Sequence, residues 1–515
     1  MALLRSAATV GLYTLMSRVL GFVRDVLTAA FLGAGPVTDA FFVAQRLPNL
    51  FRSLFAEGAF NAAFVPLFAG AIASEGRPTA KRFAEDALAV LVTALFLFVA
   101  AAEVFAPAFV RVLAPGFADD PEKFALTVAL ARVTFPYLLY ISLASLQSGV
   151  LNSVERFAAA AATPMLLNAF LIGAMLLVRP VNGYVLAWAI TASGFAQFLW
   201  LMISCWRAGL PLAMPWPQFT PAVKQLLRLM LPGTFGAGVT QLNLVVSTAI
   251  ASLLPTGAVS YLYYADRLNQ LPLGVVGIAV STAILPTLSR QVRTGDDTGA
   301  QATQNRGLEL ALLLTLPAAI GLGVLAHPIL ETLFQRGAFD AAATAATAPA
   351  LTAYAGGLPA FVLIKILAPG FFARRDTGTP VKIAAVAMAV NAAGTVFLGF
   401  VLPWAHVGIA IAGSIAGWVN ALALMTVLHR RGHFSLDRQS KRALPRIAGA
   451  AVGMGVVLTL AINLLAPSLT GAFMERLEVL VGLVVLGLAS YAALVLLLGA
   501  ARLSEVLHRF RRPKK

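Results

Sequence analysis

Residues 8–35, ATVGLYTLMSRVLGFVRDVLTAAFLGAG, and residues 36–58, PVTDAFFVAQRLPNLFRSLFAEG, are two apolar segments with charges in their interiors. Arg18, Arg24, Arg46 and Arg52 lie inside them, with Asp25, Asp39 and Glu57 among the arginines. Each segment is long enough to cross a bilayer as a helix. A guanidinium at bilayer depth costs roughly 2.5–3.5 kcal/mol even on the lenient insertion scale, so such residues face a water-filled path or a binding site. Elsewhere most charges fall where membrane–water boundaries would place them. This concentration predicts a cationic cavity in a transporter, with an anionic cargo.

Composition agrees with a membrane chain. The 515 residues are 59% hydrophobic and only 12% charged, with a mean hydropathy of +0.84; soluble domains carry about 25% charged residues. The apolar runs are continuous rather than alternating, which excludes a β-barrel. The net charge of +16 does not imply nucleic acid, because the bases lie mainly in short loops between spans. A single cysteine, Cys205, leaves no intrachain disulfide framework, and five scattered histidines form no metal spacing. No lysine follows a glycine, so the P-loop step is absent and no nucleotide or other cofactor is expected. Arg5 before an apolar run resembles a signal peptide, but Arg18 and Arg24 interrupt the candidate core, and retention as a first span is the better reading.

The predicted fold is an all-α integral membrane protein of about fourteen transmembrane helices. The spans fall at about 8–33, 37–71, 83–111, 124–151, 158–178, 184–206, 222–254, 258–289, 306–333, 341–372, 380–402, 407–429, 443–466 and 478–500. One set of loops holds Arg77, Lys81 and Arg82, then Arg207 and Lys224, Arg290 and Arg293, Arg374, Arg375 and Lys382, and Arg430 to Arg442. The alternate loops are short or acidic, as in Asp119-Asp120-Pro121-Glu122. Both termini are therefore expected in the cytoplasm, including the tail Arg509 to Lys515.

An offset of about 221 residues takes Ala44-Gln45-Arg46-Leu47 to Ala265-Asp266-Arg267-Leu268 and Pro107 to Pro328; Asn168 meets Asn391 at nearly the same offset. Six spans per copy make a parallel repeat about an axis near the membrane normal. Chance matching in Ala/Gly/Leu-rich spans is the competing explanation. The repeat divides the chain into lobes 1–212 and 213–433 around a central cationic cavity, with two added spans in 434–515. Pro48, Pro136, Pro232, Pro272, Pro317 and Pro359 interrupt spans where neighbours or cavity water satisfy the freed backbone.

On a helix Asp39, Arg46, Ser53 and Glu57 fall within about 40° of one another, a polar stripe along span two. Span one carries a similar stripe of Ser17, Gly21, Asp25 and Thr28, with Arg18 beside it. Arg24 lies about 120° from Arg18 on an ideal helix, so bringing both to one cavity requires an interruption near Gly21. In the second copy Arg46 maps to Arg267, beside Asp266, but Arg52, Glu57 and Asp39 map to Leu273, Ile278 and Ser260. That asymmetry suits a cargo with one charged end. Guanidinium groups bind phosphate as rigid multidentate donors, which points to a phosphate or pyrophosphate headgroup. Internal pairing, Arg24 with Asp25 or Arg46 with Asp39, is the alternative for any single pair. Glu57 stays open between proton carrier, cargo contact and salt-bridge partner, and Lys365 between snorkelling and lining the cavity.

The run Arg46-Leu47-Pro48-Asn49-Leu50-Phe51-Arg52 leading into Phe55-Ala56-Glu57-Gly58-Ala59-Phe60 resembles the MurJ (MviN) family. So do Ser17 to Asp25, Gly33-Ala34-Gly35 with Thr38 to Ala44, Tyr264 to Leu268 and Ala373 to Pro380. The resemblance covers the whole chain. It implies a flippase of the multidrug/oligosaccharidyl-lipid/polysaccharide exporter superfamily that moves lipid II across the bacterial cytoplasmic membrane. Lipid II and membrane lipid are then the partners, with cell-wall synthesis proteins beside them. It implies cargo contacts at Arg18, Arg24, Arg52 and Arg267, cavity acids at Asp39 and Glu57, and a groove for the lipid tail in the last two spans. One departure concerns sodium, which some members bind with acidic side chains. Spans seven and eleven here hold no Asp or Glu, only Asn243, Asn391 and Thr395, so coupling by membrane potential or another ion is left open. Rival readings are export of another polyprenyl-linked glycan or amphiphilic drug, a glycosyltransferase using Asp119, Asp120 and Glu122, and a scaffold.

Overall fold

The computed structural model describes residues 2–55, 59–469 and 471–500. Glu57 and the basic tail from Arg509 lie outside the described residues, as does the junction of the two helices that make up the second expected span. The described chain is helical, with one isolated bridge between Arg336 and Phe339 and no strand among the described residues. It divides into two compact units, residues 1–260 with 336–339, and residues 261–335 with 340–515.

The first unit contains α1 (Ala2–Leu32), α2 (Pro36–Phe55), α3 (Ala59–Glu75), α4 (Arg77–Leu113), α5 (Pro121–Thr134), α6 (Pro136–Ser153), α7 (Phe157–Leu177), α8 (Gly183–Arg207) and α9 (Pro221–Ser252). The second contains most of α10 (Ala258–Arg293), then α11 (Asp297–Val324), α12 (Ala326–Leu333), α13 (Ala341–Phe372), α14 (Gly378–Val396), α15 (Ala405–Arg430), α16 (Arg438–Leu469) and α17 (Phe473–Leu497). Ten stretches among the described residues are helical, long and apolar enough to cross a membrane. This is the composition of a multi-pass membrane protein. Its large side chains face outward freely, as with Phe96, Leu97, Val104 and Phe105 on α4, each at least 60% exposed. A soluble fold would cover such a surface; a membrane protein leaves it to lipid.

Four acids outside the spans begin helices. Asp120, Asp296, Asp340 and Asp437 accept the backbone N–H three residues on, at 2.7–3.1 Å, and so cap α5, α11, α13 and α16. That accounts for Asp120 in the Asp119–Glu122 cluster, the group a glycosyltransferase reading would have needed. The expected fourth span is broken at Phe135, where Pro136 opens α6 without needing the N–H it lacks.

Apolar packing holds each unit. In the first, Phe60, Phe64, Phe68 and Phe83 stack between α3 and α4, with neighbouring centroids 5.2–5.5 Å apart. In the second, Leu308, Leu363, Leu367, Phe371, Leu424 and Leu428 join α11, α13 and α15. The last two helices pack on each other and on α11. Arg306 links Glu309, at 2.5 Å, to Asp437, and Ser440 donates to Glu309 (2.7 Å), fixing the start of α16 against α11.

Candidate functional site

The polar stripe of α2 exists, and α9 covers it. Arg46 donates to Thr248 Oγ1, and Gln241 donates to Ser53 Oγ (2.7 Å). Seven residues separate each pair along both helices, in opposite directions, as two antiparallel helices require when nearly two turns bring a side chain back to the same face. At the far end Asp39 is only 1% exposed. It accepts from Lys123 Nζ (2.9 Å) and Gly257 N (2.8 Å) on one oxygen, and from Ser260 N (2.9 Å) and Ser260 Oγ (2.6 Å) on the other. Lys123 is 6% exposed and its ammonium also lies 4.0 Å from the Phe117 ring centroid. Four donors on one carboxylate leave it little capacity for further ligands. In this structure Asp39 is the hub of a closed network.

The stripe of α1 is arranged differently. Arg24 Nε and Nη2 donate to Asp25 Oδ1 (3.0 and 2.7 Å), and Nη1 donates to Asn168 Oδ1 on α7 (3.0 Å). Asn168 Nδ2 donates in turn to the Ser17 carbonyl (3.0 Å), and Gly21 gives the amide room beside the helix. Ser17, Arg24, Asp25 and Asn168 thus form one chain of contacts between α1 and α7. The helix runs unbroken through Gly21. The interruption required to turn Arg18 and Arg24 to one side is therefore absent, and the two leave α1 about 120° apart. Arg18 is half-buried and makes no side-chain hydrogen bond or ion pair with a described residue.

Arg52 is half-buried at the end of α2. Its neighbour Phe51 packs against Phe98, Phe109 and Phe135, with centroids 4.8–6.3 Å away. In the second unit Asp266 accepts from Gln270, and the Arg267 guanidinium lies 4.7 Å from the Tyr263 ring centroid. Within the first unit the structure joins Arg24, Asp25 and Ser17, and keeps Asp39 and Arg46 in separate contacts along the α2 seam. Lys123 escaped the sequence reading because it sits just before the fourth expected span. Its signal was a lysine in a loop set otherwise poor in bases. Asn168 entered only as a repeat marker, although an amide in mid-span already asks for a partner.

Known proteins agree with this architecture. Residues 28–478 match the family described as lipid II flippase MurJ. The protein named probable lipid II flippase MurJ from Rhizobium meliloti (strain 1021) is 46% identical over 521 residues, covering 99% of this chain and 97% of that protein. A solved structure titled lipid II flippase MurJ, inward closed conformation, superposes with a TM-score of 0.79 at 25% identity, over 94% of this chain and 97% of that one. An inward-facing multidrug resistance MATE family transporter of the MOP superfamily shares the fold, with a TM-score of 0.66 at 14% identity over 80% of this chain and 94% of its own. Matched from end to end in sequence and over nearly all its length in structure, the chain belongs to the lipid II flippase MurJ family.

Proposed function

We propose that this protein moves lipid II, the undecaprenyl-pyrophosphate-linked peptidoglycan precursor, from the inner to the outer leaflet of the bacterial cytoplasmic membrane. The reading rests on family membership together with one observation: a helix of membrane-spanning length carries Arg18 with no ion pair among the described residues, about one and two-thirds turns from an Arg24 that is held in place. A half-buried guanidinium without an ion pair is costly in a membrane unless a ligand or cavity water answers it. A pyrophosphate would do so as a multidentate acceptor.

Fourteen spans enclose the cargo in this reading, twelve of them in two parallel six-helix lobes around a cationic cavity. Both termini are cytoplasmic, and α16 and α17 form the added pair beside the lipid tail. With the cavity open inward, the headgroup meets Arg18, Arg24, Arg52 and Arg267, while the tail stays in lipid. Rocking of the lobes then presents it outside. Release requires weaker phosphate contacts in the outward state, because equal affinity in both states shifts no population. Asp39, Glu57, Ser17, Asp25 and Asp266 shape and hold the site, and Arg46 adds to its positive charge.

Arg24→Ala tests this directly. The variant, compared with wild type at equal protein level, should leave lipid II shielded from an external probe in cells depleted of the wild-type copy. Wild-type growth on the variant alone would overturn the assignment of Arg24. Flipping of a different polyprenyl-linked glycan in preference to lipid II by reconstituted protein would favour the broader exporter.

A further inference from the structure

Two turns in the first unit each close on the end of a helix. Between α4 and α5, the N–H of Gly116 donates to Ser252 Oγ (3.1 Å) at the end of α9. A Cβ at Gly116 would lie 2.6 Å from Leu253 Cα and overlap the Ser252 carbonyl. In the turn 336–339, Ala338 N donates to the Ala30 carbonyl (2.8 Å) at the end of α1. A Cβ at Gly337 would overlap that same carbonyl, and one at Gly33 would lie 2.9 Å from the Ala338 carbonyl carbon. These contacts are backbone against backbone, so a rotamer change cannot relieve an added methyl; the helix end itself would have to move.

The positions are related by number. Gly337 follows Gly116 by 221 residues, the offset that relates Arg46 to Arg267. The two sockets are the ends of α1 and α9, the first helices of the two repeat copies. Each copy's turn rests on the other copy's first helix, the reciprocity that defines an isologous contact. Asp39 accepts from Ser260, also 221 residues on. A residue meets its own counterpart only close to a two-fold axis, so the Asp39 hub marks that axis and the glycine sockets flank it. All of these groups lie at the end of the bundle where α1 ends and α2 begins.

We propose that Gly116 and Gly337 are positioning residues of the outward-closed state, a pair of glycine sockets that hold the outer end shut and part together when the cargo site opens outward. This rests on the alternating-access reading and orientation given above. The sockets act on the equilibrium between states and touch no cargo. A side chain in either one therefore opens the outer end without disturbing the arginines.

The test uses the full chain with Cys205→Ala and a reporter, Ala251→Cys, on the last turn of α9, where Ala251 is 3% exposed. A membrane-impermeant maleimide is added to right-side-out and to inside-out vesicles. The reporter alone should label slowly from outside. Gly116→Ala should raise external labelling several-fold, and Gly116→Ala with Gly337→Ala further still. Gly35→Ala, at the same end with nothing within 4 Å of a Cβ, should leave it unchanged. Ser252→Ala removes the Gly116 acceptor without adding bulk and should give a smaller rise, which covers the case of a Gly116 variant that fails to insert. No rise in either preparation, from protein present at the parental level, overturns the sockets. A rise confined to inside-out vesicles overturns the orientation, and with it the outward-closed assignment. A clear rise in a protein that flips some other lipid keeps the sockets and removes only lipid II.

Discussion

The seams that α1 and α2 make with their neighbours use the same residue types for opposite ends. On α2, Asp39, Arg46 and Ser53 each meet a polar partner from elsewhere in the first unit, and the buried carboxylate carries four donors. On α1, Arg24 is tied to Asp25 and Asn168, while Arg18 has no such partner among the described residues. A charge inside an apolar segment is therefore not evidence of a cavity by itself. What separates a lock from a binding group is the count of partners around it, and a sequence does not contain that count.

The contrast breaks most visibly at the α2 end. Removing one member of a buried ion pair costs about 3–5 kcal/mol, because the other is left charged and unpaired. Lys123→Met should lower the unfolding temperature of the purified protein by many degrees, and Asp39→Asn should lower it too, since the single amide oxygen keeps either the Ser260 donors or the Gly257 donor and turns its NH2 toward the other. The double variant should recover part of the loss, because neither charge is then stranded. Single variants that unfold at the parental temperature would show that Asp39 and Lys123 do not form the lock described here.

Arg18 should behave in the opposite sense. With no partner to lose, Arg18→Gln should change stability by less than about 0.5 kcal/mol, the range for substitutions away from specific contacts. Transport should fall at least tenfold, which is a loss of about 1.4 kcal/mol in stabilisation of the bound headgroup. Equal losses in stability and transport would move Arg18 into the same class as Lys123.

Much of the fold was legible because bilayer crossing imposes length and apolarity on each helix, and those are properties of sequence alone. The α2 stripe was legible too, through the helical phase of Asp39, Arg46 and Ser53. Its destination was not. Burial against α9 depends on Thr248 and Gln241, some 200 residues away, and nothing in helical periodicity pairs one stripe with another. Arg18 and Arg24 show a second limit. An interruption near Gly21 was required to turn both to one side, yet glycine there serves as clearance for Asn168 and the helix runs on without a break. Lys123 shows a third, since a residue at a span boundary reads as a surface charge until the chain folds it over Asp39.

The smallest effect belongs to the loops, where charge is locked as firmly as on α2 but close to water. Asp376 accepts from the Thr379 hydroxyl (2.6 Å), from Arg431 (2.6 Å) and from the Thr379 backbone (2.9 Å). The Thr379 hydroxyl first, and the Arg431 guanidinium next, hold its carboxyl well below the usual carboxylate range. A depressed folded pKa contributes stability that is complete above the unfolded value of about 3.9 and is lost only as pH falls through the folded value. Between pH 5 and pH 8 the contribution of Asp376 should thus be constant, and Asp376→Asn should lower the unfolding temperature by the same few degrees at both. A penalty that shrinks from pH 8 to pH 5 would mean the carboxylate is already taking up protons there, and that solvent has weakened the Arg431 contact in a way that burial prevents at Asp39.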